Sequence, residues 1–127
     1  MLDKNKKKEL SSAYAQTFRA MGVYQIRNTS NGKIYVVSSM DLEGARNRFD
    51  FAKQMNLSIF HELQKDWQAF GPNSFVFEEL DRLKPDEDAP VDATSQKHYR
   101  DEVDALLELW LEKLQPYEEK GYNRRKR

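Results

Sequence analysis

The sequence of 127 residues lacks cysteine and lacks any long apolar run. Without cysteine, disulfide bonds, thiolate zinc sites and a thiol nucleophile are excluded. Without about 18 consecutive apolar residues, no transmembrane helix is expected. The chain opens with Asp3 and a run of lysines rather than an apolar segment, so we expect no secretory signal peptide. These absences predict a cytoplasmic protein without a membrane partner.

A net charge is also lacking, because 21 basic residues balance 21 acidic ones. The balance is an average over unlike segments, since most of the acids lie between Glu78 and Glu119 and basic residues crowd both ends. Basic ends can bind phosphate backbones, although plain solvated ends are an equally good interpretation. Neutrality therefore does not exclude a nucleic-acid partner. The basic end residues are Lys4, Lys6, Lys7, Lys8, Arg124, Arg125, Lys126 and Arg127.

The first half of the chain predicts a helix followed by a β-hairpin. Apolar residues recur at helical spacing over residues 10–21, and Gly22 is suited to end that helix. Two β-rich runs follow, at 23–28 and 33–38, joined by a turn that contains Asn-Gly. Asn-Gly accepts the positive φ angles of tight turns, so the two runs are predicted to pair.

The second half predicts three helices and one strand. Asp41 is placed to cap a helix that runs to about Met55. The whole order is α-β-β-α-α-β-α, which predicts an α+β domain with a small three-stranded, mostly antiparallel sheet flanked by helices. The remaining predicted elements are a helix over 58–70, a strand over 74–80, a loop over 84–95 and a helix over 98–114.

Each of these helices is predicted to bury one apolar stripe against the sheet. The predicted inward residues are Leu42, Ala45, Phe49 and Ala52 in the first, Ile59, Leu63, Trp67 and Phe70 in the second, and Val103, Leu106, Leu107, Trp110 and Leu114 in the third.

Few residues outside these stripes offer chemistry. His61 and His98 lack the helical spacing of metal ligands, so surface histidines are the simpler interpretation. No phosphate-cradling glycine loop and no nucleophile motif is present. The acids of the 84–95 loop suit a solvated loop.

An ordered set of short motifs runs along most of the chain. The motifs are Gly22-Val23-Tyr24, Asn31-Gly32-Lys33-Ile34-Tyr35-Val36, Ser38-Ser39, Asp41-Leu42, Leu63-Gln64, Phe70-Gly71, Phe75-Val76-Phe77-Glu78, Trp110 to Pro116, and Gly121-Tyr122-Asn123. In this order and spacing, the set resembles the GIY-YIG nuclease domain. The resemblance divides the chain into a basic tail and helix at 1–21, the domain at 22–123, and a basic tail at 124–127.

The resemblance implies metal-assisted hydrolysis of a nucleic-acid phosphodiester, on DNA more than RNA. Tyr24 and Tyr35 match the two motif tyrosines, one helping to activate water and one positioning it. Asn123 matches a late asparagine, which we expect to contact substrate. The implied cofactor is Mg²⁺ or Mn²⁺, held by one glutamate, because Mg²⁺ takes few protein ligands.

Four positions depart from the family pattern. The second motif glycine is Val37, and a histidine that often precedes the third helix is Ser58. The phosphate-stabilising arginine is replaced by Ala45, and the metal-binding glutamate by Leu107. Losing a group that stabilises charge commonly costs about 10²-fold or more in rate, so weakened or absent catalysis is expected.

Charged neighbours flank the two vacant positions. Arg46 and Arg48 border the helix stripe near Ala45, and a long side chain from either can reach a cleft. Glu108 follows Leu107, but one residue turns a side chain by about 100°, which directs Glu108 away from the stripe. As an alternative, all three are ordinary surface charges.

The sequence is compatible with two functions. The chain is either a divergent divalent-metal-dependent endonuclease that uses Tyr24, Tyr35, Arg46 or Arg48, and Glu108, or a non-catalytic module that keeps the fold and binds nucleic acid or a protein. The sequence does not define the oligomeric state.

Overall fold

A computed structural model describes residues 18–85, 88 and 90–125. Within this part of the chain, short 3₁₀ turns at His61–Leu63, Pro72–Ser74 and Glu118–Lys120 link the regular elements. The regular elements are β1 (Met21–Asn28), β2 (Ile34–Ser39), α1 (Leu42–Met55), α2 (Gln64–Phe70), β3 (Phe75–Leu83) and α3 (Ala93–Leu114).

The strands form one antiparallel sheet in the order β2-β1-β3, with three strands in the described residues. Tyr24 pairs with Val37, and Ile26 pairs with Tyr35. Directly paired residues point to the same face of a sheet, so Tyr24 and Tyr35 share one face. The α+β prediction with a small antiparallel sheet is confirmed.

The predicted hairpin turn is also observed between β1 and β2. Gly32 has a φ angle of 78°, which glycine adopts without steric cost. The Gly32 amide donates to the Asn28 carbonyl at 2.8 Å, and the Asn28 amide donates to the Lys33 carbonyl at 2.9 Å. The turn therefore fixes the register that brings the two tyrosines onto one face.

Helices cover both faces of the sheet. The face that carries Tyr24 packs against α1 and α2 in one apolar cluster. The opposite face carries Val23 and Val36, and α3 contacts β1 and β2 there. None of the helices in the described residues is long and apolar enough to cross a membrane. The buried members of the cluster are Tyr24, Ile26, Leu42, Ala45, Phe49, Leu63, Trp67 and Phe75.

The prediction of a helix over residues 10–21 is wrong at its C-terminal end, where the chain enters the sheet. Residues 18–20 have no regular structure, and Met21 begins β1 rather than ending a helix. Met21 pairs with Leu83 because β3 extends three residues beyond its predicted end. The added hydrogen bonds between the strands stabilise the extended backbone more than the local helix propensity opposes it. The predicted helix from residue 10 to 17 lies outside the described residues.

Gly22 therefore lies within β1 and does not end a helix. A Cβ atom at Gly22 would lie 2.1 Å from the Asp81 carbonyl oxygen of β3. The strands approach closely here beside an irregularity in register between Val23 and Tyr24. The absence of a side chain permits that approach.

The later helices also differ from their predicted bounds. α2 begins at Gln64, after a 3₁₀ turn, and Ile59 and Phe70 are exposed instead of buried. α3 begins at Ala93, inside the predicted loop, because the Asp92 carboxylate caps it by accepting from the Ser95 amide at 2.8 Å. Val103 is buried in α3, while the other predicted inward residues are half-buried.

Candidate functional site

The two motif tyrosines lie on the sheet face that α1 and α2 cover. Tyr24 is 4 % exposed, and its ring stacks on Phe77 at 4.5 Å between centroids. Tyr35 is half-buried, and its ring meets the Phe60 ring edge-on at 4.9 Å. Aromatic packing thus fixes both rings while their hydroxyl groups face a set of charged residues.

Some of those charged residues raise the tyrosine pKa values, and others lower them. Burial raises the pKa of Tyr24, and the nearby positive charge of Arg48 partly offsets the effect. Burial also raises the pKa of Tyr35, to about 12, with help from the charge and side-chain hydrogen bond of Glu62. The Tyr24 side chain adds to that rise, and Arg124 opposes it. Both hydroxyls are consequently protonated near neutral pH and can donate hydrogen bonds.

The structure separates the roles open to the two candidate arginines. Ala45 is buried in the same cluster as Tyr24. Arg48 is three residues further on, so it lies on the same side of α1, one turn along, and its charge reaches Tyr24. The Arg46 guanidinium instead lies over the Phe77 ring, 4.7 Å from its centroid.

Arg46 also lines a groove of about 520 Å³ between α1, β3 and the residues before β1. Two other arginines in the groove are paired with acids. Arg19 contacts Asp41 at 3.4 Å, and Arg82 contacts Glu79 at 2.6 Å. The groove therefore carries charge of both signs.

The predicted metal ligand lies in α3, in a different setting. Leu107 is half-buried and Glu108 is exposed, as the helical-wheel argument indicated. Glu108 lines a shallow pocket of about 340 Å³ with Gln115, Tyr117 and Arg125 among its walls. Charged residues that shift the tyrosine pKa values include Arg48, Glu62 and Arg124.

Asn123 completes the edge of the sheet. Its side-chain oxygen accepts from the Val36 amide at 2.8 Å, and its side-chain nitrogen donates to the Val36 carbonyl at 2.8 Å. Beside it, the Tyr122 amide donates to the Ile34 carbonyl at 2.8 Å. The Asn123 side chain thus forms the two backbone hydrogen bonds that a neighbouring strand would form with Val36 of β2. The contact of Asn123 with substrate stays a prediction.

A buried polar network ties the hairpin to the C-terminal segment. Asn28, fully buried, donates from its amide nitrogen to the Tyr122 hydroxyl at 3.1 Å. The Asn28 oxygen accepts from the Ser74 hydroxyl at 2.6 Å and the Ser30 amide at 3.0 Å. Tyr122 in turn donates to Asp66 at 2.6 Å. Burial and the Asp66 hydrogen bond raise the pKa of Tyr122 to about 12.

The sequence reasoning missed Glu62 and Arg124 as members of the site. Glu62 precedes the buried Leu63, in the segment where the family pattern often has its histidine. Arg124 follows Asn123 directly but was grouped with a basic tail. Both become neighbours of Tyr35 only through tertiary packing.

The residues in the described part of the chain include no cluster of three or more acidic or histidine side chains suited to a metal ion. A single carboxylate can still suffice for Mg²⁺, which keeps most of its water ligands. The charge of the Glu62 carboxylate acts on Tyr35, and Glu108 lines the pocket that Tyr117 and Arg125 also line. Glu108 as a ligand of the implied metal stays a prediction.

The sheet order, the tyrosine pair on one face and the flanking helices together define a GIY-YIG nuclease-like fold. The catalytic domain of the homing endonuclease I-TevI is similar to this chain at 25% identity and a TM-score of 0.59. That similarity covers 84% of this chain and 99% of the I-TevI domain. A glutamate-to-alanine mutant of the same domain is similar at 25% identity and a TM-score of 0.57, covering 82% of this chain and 92% of the mutant.

No protein-family model and no curated protein matches the chain. The resemblance stated from the motifs is confirmed by the solved structures. Fold and element order match the GIY-YIG catalytic domain.

Proposed function

We propose that this protein is a divergent endonuclease that hydrolyses nucleic-acid phosphodiesters, acting on DNA in preference to RNA. The observation that carries the proposal is the juxtaposition of Tyr24 and Tyr35 on one sheet face, with Arg48 and Arg124 beside them. The similarity to an endonuclease catalytic domain adds to it.

The proposed chemistry follows from the charges around the tyrosines. Attack of water on a phosphodiester builds negative charge on the phosphate oxygens. Arg48, one turn after Ala45, would stabilise that charge in place of the family's arginine. Tyr24 and Tyr35, both protonated, would orient the water and the phosphate through their hydroxyl groups.

Metal dependence is a separate part of the proposal. A bound Mg²⁺ or Mn²⁺ would supply Lewis-acid stabilisation of the phosphate. We retain Glu108 as the candidate ligand to be tested, since it is the acid beside the vacant Leu107 position. Cleavage assays with Mg²⁺, Mn²⁺ or EDTA read this dependence directly.

The test uses the purified full chain with labelled single- and double-stranded DNA and RNA. We expect cleavage that falls by roughly 10²-fold in Tyr35→Phe and in Arg48→Ala, because each loses a group that acts in the transition state. Tyr99→Phe is the matched control, since Tyr99 lies on α3 and contacts Phe18. Cleavage unchanged in Tyr24→Phe, Tyr35→Phe and Arg48→Ala would contradict the proposed site.

A second function is favoured by one specific observation. The family's arginine and glutamate positions hold Ala45 and Leu107, which are buried and half-buried apolar residues. This arrangement suits a non-catalytic module that binds nucleic acid or a protein through the same face. Binding to labelled DNA with no cleavage under any metal condition would select that function.

A further inference from the structure

The groove between α1, β3 and the residues before β1 adjoins the tyrosine pair through Phe77. The Phe77 ring stacks on Tyr24 at 4.5 Å between centroids, and the Arg46 guanidinium lies over the same ring at 4.7 Å from its centroid. Phe77 and Arg46 both line the groove. A nucleic-acid strand whose scissile phosphate lies at Tyr24 therefore has the groove next to it.

Arg46 differs from the two other arginines of the groove in what it contacts. Arg19 pairs with Asp41 at 3.4 Å, and Arg82 pairs with Glu79 at 2.6 Å, so acids of the groove already offset both charges. The exposed Arg46 contacts an aromatic ring instead. A ring attracts a guanidinium without neutralising its charge, so Arg46 is the groove residue best suited to bind an anion.

The acids of the groove limit the negative charge that a ligand can bring. Asp41, Glu43 and Glu79 line it together with the three arginines. The hydrogen bond from Arg82 is the main cause of the lowered pKa of Glu79, and the charge of Arg46 adds to it. A run of phosphates would be repelled here, whereas a single phosphate at Arg46 fits. The volume of about 520 Å³ is that of a small-ligand pocket, which suits one nucleotide.

We propose that the groove is a subsite for the nucleotide that flanks the scissile phosphate, with Arg46 binding the flanking phosphate. This inference rests on the proposed function and deepens it, because it gives the two arginines of α1 separate tasks. Arg48 acts on the phosphate that is cleaved, and Arg46 holds the strand through a phosphate that is not. Loss of Arg46 therefore weakens binding, and loss of Arg48 slows the chemical step.

The first test measures binding without any need for cleavage. Fluorescence anisotropy of labelled DNA in EDTA gives the dissociation constant of the full chain at several salt concentrations. In Arg46→Gln we expect the affinity to fall by about 10-fold. The slope of log affinity against log salt should weaken by about 0.7–0.9, the contribution of one phosphate contact. Arg46→Lys, which keeps the charge and loses the planar guanidinium, should keep the slope and recover part of the affinity.

Arg100→Gln is the matched control for the lost charge. Arg100 is exposed on α3, which packs on the opposite face of the sheet. The control removes the same charge and should leave the affinity and its salt dependence nearly unchanged. Equal losses in Arg46→Gln and Arg100→Gln, or no loss in either, overturn the proposal.

The second test identifies the phosphate that Arg46 binds. A series of oligonucleotides carries one neutral methylphosphonate in place of each phosphate in turn. At one position the replacement should weaken binding by the wild type and leave binding by Arg46→Gln unchanged, because the variant has already lost that contact. Losses that add at every position overturn the proposed contact.

Cleavage kinetics separate this proposal from the proposed function. If the wild type cleaves, Arg46→Gln should raise KM by about 10-fold with little change in kcat, and the phosphate coupled to Arg46 should adjoin the cut bond. A lowered kcat with an unchanged KM overturns the subsite. If the wild type binds DNA without cleaving it, the proposed endonuclease fails, and the coupling between Arg46 and one phosphate still decides whether the groove holds the strand.

Discussion

The nature of the site depends on which arginine adjoins the tyrosines. Sequence alone left Arg46 and Arg48 equivalent, because each borders the apolar stripe of α1. In the fold, Arg46 covers the Phe77 ring, and the charge of Arg48 reaches Tyr24. A helix places residues i and i+3 on one side. Arg48 therefore projects from the same side of α1 as Ala45, which occupies the position of the family's arginine.

This assignment gives a prediction about ionisation. Replacing Arg48 by Gln removes a positive charge that favours the phenolate, so the pKa of Tyr24 should rise. The matched change Arg46→Gln should leave it in place. ¹⁹F NMR titration of protein labelled with 3-fluorotyrosine measures both pKa values, and a rise in Arg46→Gln alone would reverse the assignment.

Asn28 is expected to contribute to stability through its buried side chain. Its side chain joins Tyr122, Ser74 and the Ser30 amide inside the protein. Asn28→Ala removes one hydrogen bond from each of these buried partners, so the free energy of unfolding should fall by about 1–3 kcal/mol. Chemical denaturation measures the loss.

Asn47 provides the control for that change. It is exposed on α1, where alanine is the better helix former, so Asn47→Ala should be neutral or slightly stabilising. Equal losses in the two variants would mean that the network around Asn28 adds little.

At the scale of elements, the contact between β1 and β3 depends on a missing side chain. A Cβ at Gly22 would collide with the Asp81 carbonyl, and that atom belongs to the backbone of β3, which cannot move aside freely. The contact explains why the sheet takes Met21 and Gly22 into β1 although the local pattern favoured a helix end.

Gly22→Ala should therefore destabilise the protein by about 1–3 kcal/mol, the usual range for inserting an atom into a packed site. Gly32→Asn is the control, because open space surrounds Gly32 and asparagine tolerates its positive φ angle. Denaturant midpoints compare the two. A near-neutral Gly22→Ala would mean that β1 and β3 separate at that end without cost.

For the whole molecule, two raised tyrosine pKa values predict sensitivity to alkali. Tyr35 and Tyr122 both have a pKa of about 12 in the folded protein, against an ordinary value of 10. A raised folded-state pKa means that the folded protein binds the proton more tightly than the unfolded chain. The resulting stability is complete below pH 10 and is lost as the pH rises through 12.

The free energy of unfolding should accordingly fall between pH 10 and pH 12. Tyr35→Phe and Tyr122→Phe each remove one titrating group, so each variant should lose less stability over this interval than the wild type does. Urea denaturation at a series of pH values measures the slopes. Slopes equal to the wild type in both variants would assign the alkaline loss to other groups.

The small antiparallel sheet and its hairpin could be predicted from the sequence, and the face that the tyrosines share follows from that pairing. These features follow from local rules, because Asn-Gly specifies a tight turn and alternation along paired strands fixes which side chains share a face. The buried positions of α1 followed in the same way from helical periodicity, and all four are buried.

The surroundings of the tyrosines could not be predicted from the sequence, because they depend on contacts between distant segments. Glu62 and Arg124 are 27 and 89 residues from Tyr35 along the chain, and nothing in their local sequence links them to it. Packing of the α1–α2 segment and of the C-terminal residues against β2 brings them together. The start of β1 was decided in the same way, because the register of β3 fixes it and local propensity is too weak to oppose a strand pairing.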